Sequence, residues 1–215
     1  MIRKPDFNEH QQHAMLLSPS DDYKDDAATK YVNEALSKGY LTIYLPINGE
    51  DKNNDASHHL SKIALPESIN YEENVNRGNL LTFDTRTFYN FALAGDLQPF
   101  EELKVLIEEA IQESIASSKR RSNDEEKAIV LVVAGVAAEL IRNKKFDESL
   151  KVEEWWQKTH SEWLQKGLKV TIVCPHSSAM LDNGEFMHYK QAISSLHDII
   201  LESGCVFAEQ KNTEG

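Results

Sequence analysis

The chain has 215 residues, of which 40% are hydrophobic and 27% charged, enough to bury a full core in one domain. Its formal charge of -12 at pH 7 repels a phosphate backbone, and no segment gathers enough Lys and Arg to reverse that, so direct nucleic-acid binding is not expected. Two cysteines make no disulfide framework, the longest apolar run (128–138) is too short to span a bilayer, and the start lacks a signal-peptide core, so the expected setting is cytoplasmic and away from membranes.

Residues 1–12 read as a tail. Met15 to Leu17 then form a short buried strand, followed by a helix over 22–38 with Tyr23, Ala27, Tyr31, Ala35 and Leu36 on one face and Gly39 at its end. The β-branched and aromatic run 40–46 predicts a second strand stopped by Pro46. A loop over 48–55, a helix over 57–64 that starts near His58 and His59, and a loop containing 76–79 come next. A third strand is placed at 80–84 and a short helix at 85–94.

From Asp96 the residues Leu97, Phe100, Leu103, Leu106, Ile107, Ala110, Ile111 and Ile115 recur at helical spacing, and 117–127 reads as an exposed charged connection. Lys119, Arg120 and Arg121 follow that helix, where cations suit the carbonyl end of its dipole. Residues 128–134 are apolar on both alternating faces, as in a central parallel strand covered on both sides. Helices over 136–143 and 147–165, a strand over 168–174, a last helix over 186–203 and a short edge strand over 205–208 complete the pattern, with a disordered tail over 209–215. Strands alternating with helices predict one three-layer α/β domain over 13–208, with a mostly parallel sheet between helices.

In such sheets ligands bind beyond the carboxyl ends of the strands. The first of these turns, Ser18-Pro19-Ser20-Asp21-Asp22, has no glycine to let amides wrap a phosphate, and its carboxylates oppose an anion, so nucleotide hydrolysis there is not expected. Ser20, Asp21 or Asp22 instead suits a helix cap, worth about 1 kcal/mol.

A zinc site needs converging donors, and only Cys174 and His176 are close in sequence; His188 and His197, on one helix of about 3.6 residues per turn, would face opposite ways. A Cys174 nucleophile would need activation by His176 or Glu139, and no Gly-x-Ser-x-Gly elbow occurs. No catalytic residue, metal or cofactor is therefore assigned. Trp155, Trp156 and Trp163 at helical spacing either cover the sheet or form an oligomer contact or apolar pocket.

The segments 13–21 (HAMLLSPSD), 36–40 (LSKGY), 76–85 (NRGNLLTFDT), 152–156 (VEEWW), 173–176 (VCPH) and His197-Asp198 occur in the order of the MEDS domain, the methanogen/methylotroph sensory domain, which the chain resembles over 13–203. The resemblance implies a degenerate relative of RecA and KaiC ATPases with a lost phosphate loop. It implies a non-catalytic sensory or regulatory domain that binds a small organic ligand, or a partner such as a histidine kinase or transcriptional regulator. Two positions depart from it: Gly135-Val136 stands where Gly-Glu is expected, with the nearest acid at Glu139, and His176 stands where an aromatic is expected.

The candidate ligand residues on this reading are Ser18, Asp22, Asp84, Arg86, Glu139, Cys174 and His176. The competing readings are a homo- or hetero-oligomeric interaction module without ligand, and a weak nucleotide-binding protein.

Overall fold

The computed structural model describes residues 11–47, 71–119, 129–182 and 184–203. In chain order the elements are β1 (His13–Ser18), α1 (Asp21–Ser37), β2 (Leu41–Leu45), α2 (Tyr71–Asn76), β3 (Leu80–Thr82), α3 (Arg86–Leu93), α4 (Gln98–Lys119), β4 (Ile129–Ala134), α5 (Val136–Arg142), α6 (Phe146–Gln165), β5 (Lys169–Ser177), α7 (Ser178–Leu181), α8 (Met187–Ser195) and β6 (Ile199–Glu202). The strands form one six-stranded sheet in the order β3-β2-β4-β5-β1-β6. Every pair in it is parallel.

The fold is thus a three-layer α/β arrangement of the RecA-like kind, with helices on both faces of a parallel sheet. Ala27, Ala28, Val32, Ala35 and Leu36 of α1 bury one face against Ala14, Leu16, Leu131, Val133 and Val173. On the other face α4, α5 and α6 close over Ile43, Val130, Val132, Ile172 and Cys174 with Phe100, Ile107, Leu140, Trp156 and Trp163. Beside them Met15 and Leu17 meet Ile141, Phe146, Leu181 and Ile193. A strand buried on both faces must be apolar throughout, which is why β4 reads IVLVVA.

The α1 end follows a left-handed cap. Gly39 has φ +74, and its N–H donates to Leu36 O at 3.0 Å while Tyr40 N–H returns to Ala35 O at 3.0 Å. An added Cβ at Gly39 would meet nothing within 4 Å, so the cost of a side chain there is backbone strain alone. Gly39→Ala is expected to lower stability by about 1–2 kcal/mol in urea unfolding; an unchanged midpoint would contradict the strain argument.

Several boundaries differ from the sequence reading. Asn76 closes α2 rather than opening a loop, and α4 runs on through Lys119, so 117–119 are helical. The last helix stops at Ser195, and Ile199 and Ile200, which matched helical spacing, lie in β6. The strand predicted at 168–174 extends to Ser177, because its residues after Cys174 continue to pair with β1: Leu16 faces Pro175, Leu17 faces His176 and Ser18 faces Ser177. The N-cap of α1 is Ser20, but its side chain makes no capping hydrogen bond. The helix predicted at 57–64 with His58 and His59, the edge strand predicted at 205–208, the tail predicted at 209–215 and residues 1–10 of the tail predicted at 1–12 lie outside the described residues, while Gln12 O accepts from Ile172 N at 2.8 Å.

Candidate functional site

The extension of β5 moves His176 out of a loop and into the same buried strand as Cys174. His13, at the start of β1, enters the same interior, since Met15 pairs with Cys174 and His13 lies two residues before it. Helix α6 supplies the acid. Its inward residues Ser149, Val152, Trp156, Thr159, His160 and Trp163 follow the apolar stripe of an amphipathic helix, and Glu153 falls on that stripe with no exposure. His197, in the turn between α8 and β6, completes the group.

His13, Glu153, Cys174 and His197 are all buried, and each offers one donor atom within 4.8 Å of the others. His13 Nε2 is 3.4 Å from Cys174 Sγ and 3.5 Å from Glu153 Oε2. His197 Nε2 is 3.3 Å from the same Oε2. The rings of His13 and His197 lie against each other, centroids 4.1 Å apart.

Tautomers follow from partners that can only accept. His13 Nδ1 lies 2.9 Å from Leu196 O and His197 Nδ1 lies 2.8 Å from Ile193 O, so each Nδ1 carries a proton and donates it to a carbonyl. Both Nε2 atoms are thereby turned to the centre. His13 Nε2 faces the Cys174 thiol, which donates its proton there. His176 Nε2 donates to Glu153 Oε1 at 2.9 Å and so orients the carboxylate, leaving Oε2 pointed at the other groups. Glu153 Oε2 and His197 Nε2 are buried and, among the described residues, make no hydrogen bond of good geometry, although they face each other at ion-pair distance.

The electrostatics agree with a place built for positive charge. Burial pushes the Glu153 carboxyl up, but the charge of His197 and the surrounding imidazoles outweigh burial and hold it well below the usual carboxylate range. Burial pulls His197 down, and the Glu153 carboxylate overcomes it, so its pKa is raised. His176 is lowered by burial despite its bond to Glu153. Burial, reinforced by the Glu153 carboxylate, pushes the Cys174 thiol well up. An ionised carboxylate taken out of water costs several kcal/mol unless a cation answers it, and here that cation is a proton on His197 or an ion between the donors.

The residues singled out from sequence are dispersed. Ser18 is buried at the end of β1, its hydroxyl donating to Ser20 O at 3.0 Å and His176 O at 3.1 Å, a purely internal role. Asp22 lies in the first turn of α1, and its side chain is outside the described residues. Asp84 is exposed and accepts the N–H of Arg86 at 3.0 Å. The Glu139 carboxylate is held by Arg142 and by Asn143 Nδ2 at 3.0 Å, whereas the acid beside Cys174 is Glu153. Of that set only Cys174 and His176 enter the cluster.

The donors that accompany Cys174 are distant in sequence, with His176 acting through Glu153 rather than beside the thiol. The cluster is inside the sheet face under α6, with His13 and His197 at the amino ends of β1 and β6, apart from the carboxyl edge where the sequence reading expects a ligand. The tryptophans are buried too, Trp155 Nε1 donating to Glu101 at 2.9 Å and Trp163 Nε1 to Glu108 at 2.8 Å, so they form no exposed patch. No family model and no curated protein matches this sequence.

Proposed function

We propose that the chain is a non-catalytic sensory or regulatory domain, of the MEDS kind that its motif order resembles, and that the buried His/Glu/Cys centre is where it receives its signal. The observation that supports this most strongly is the convergence of His13, Glu153, Cys174 and His197 from separate elements, with Glu153 Oε2 and His197 Nε2 facing each other without a hydrogen bond of good geometry among the described residues. Such an arrangement lowers stability and is retained where it serves function. A group sealed from solvent favours capture of a small species over turnover of a substrate.

An occupant bridging these residues would tie β1, α6 and β5 to the turn before β6. Its arrival would then reach the sheet edge, a surface available to a histidine kinase, a transcriptional regulator or a second copy. The phosphate-loop position gives no comparable support, since the Ser18 hydroxyl is already spent on backbone carbonyls.

Thermal-shift measurements against transition-metal ions, small organic ligands and adenine nucleotides test the reading. The true occupant, at about 100 times its Kd, raises Tm by about 5–10 °C and slows amide exchange in 196–202, while nucleotides do neither. Nucleotide hydrolysis, or a panel in which no class moves either Tm or exchange, would overturn it.

A further inference from the structure

Resting on that reading, we infer that the occupant is a zinc-class divalent metal ion, bound by His13 Nε2, His197 Nε2, Cys174 Sγ and Glu153 Oε2. A tetrahedral ion with bonds of about 2.0–2.1 Å to nitrogen and oxygen and about 2.3 Å to sulfur sets neighbouring donors about 3.3–3.6 Å apart. The separations of 3.4 Å (His13 to Cys174), 3.5 Å (His13 to Glu153) and 3.3 Å (His197 to Glu153) match three of the six edges of such a tetrahedron. The other three donor pairs lie within 4.8 Å, so binding draws the group inward by at most about an ångström.

The surrounding bonds are those a metal site needs. Each ligand imidazole is anchored through Nδ1 to a backbone carbonyl, Leu196 O or Ile193 O, which leaves Nε2 free to coordinate. The carboxylate is anchored through Oε1 by His176, which leaves Oε2 free. His176 is therefore a positioning residue. Two imidazoles, one thiolate and one carboxylate oxygen form a mixed donor set that suits zinc, cobalt(II) or iron(II) and does not suit magnesium or calcium, which take oxygen ligands. All ligands come from the protein and all are buried, so the site is of the closed, non-catalytic type. Binding displaces the Cys174 thiol proton, and any proton on His197 Nε2, to solvent, leaving a thiolate and two neutral imidazoles around the ion.

The test is anaerobic titration of the reduced, chelator-stripped, tag-free chain with cobalt(II), followed by zinc. One equivalent of cobalt is expected to produce the intense visible bands of a tetrahedral site and a near-ultraviolet thiolate-to-cobalt band, both abolished by one equivalent of zinc. Cys174→Ser, checked for folding by circular dichroism, loses the thiolate band. His176→Gln keeps the bands with affinity weakened about 10–100-fold. A folded wild-type chain without these bands, or a Cys174→Ser variant that retains the thiolate band, overturns the proposal. The two readings fail separately: bands without any change in amide exchange over 196–202 keep the metal site and remove the sensor. A Tm shift by an organic ligand without bands keeps the sensor and removes the metal.

Discussion

Glu153→Ala is expected to lower the stability of the chelator-treated protein by about 3–5 kcal/mol, the largest effect of any single polar substitution considered for this chain. Two losses combine. The His197 imidazole, whose proton the carboxylate supports, is left buried without its main counter-charge, and His176 Nε2 loses the acceptor it has among the described residues. Glu153→Gln should cost less, because the amide oxygen still accepts from His176 while the charge is gone. Urea unfolding followed by circular dichroism measures both, and a loss below about 1 kcal/mol for the alanine variant would contradict the paired-charge account.

The second large effect is apolar. Trp156 is fully buried in α6, with ring centroids 4.7 Å from Trp155 and 6.3 Å from Trp163, and Trp156→Ala should cost about 3–5 kcal/mol through lost burial and the cavity left behind. The indole N–H of Trp156 has no partner among the described residues, so Trp156→Phe sacrifices volume but no hydrogen bond within them. Trp163→Phe sacrifices both, since Trp163 Nε1 donates to Glu108 at 2.8 Å and Lys166 Nζ reaches the same carboxylate at 2.7 Å. The phenylalanine variant at 163 should therefore be the less stable of the two by about 1 kcal/mol. Equal unfolding midpoints would indicate that the Glu108 bond contributes nothing.

The layered fold was legible because burial on two faces leaves a plain imprint. An apolar run such as 129–134 admits few other positions than mid-sheet, and the period of α4 fixes its inward side. The centre was not legible by spacing, because its donors are separated by most of the chain and each alone looks ordinary: a strand histidine, a strand cysteine, a histidine near a helix end. Treating His197 as helical hid it, since the hydrophobic residues at 199 and 200 continue a helical period while actually facing β1 as a strand. One signal was present. Glu153 sits on the Val152, Trp156, Thr159, His160 and Trp163 stripe, where a lone carboxylate needs a cationic partner inside the protein.

The strand order also governs how the protein must be made. β1 is the first of the described strands, yet among them its neighbours are β5 and β6. During synthesis its backbone stays unpaired until residues 169–177 have left the ribosome, although β2, β3 and β4 can already associate. The nascent chain therefore carries the segment HAMLLS with open hydrogen-bonding edges until β5 emerges. Among the described strands β1 joins the sheet only through β5 and β6, and the Asp198 carboxylate, accepting from His13 N at 2.7 Å, ties it to the turn before β6.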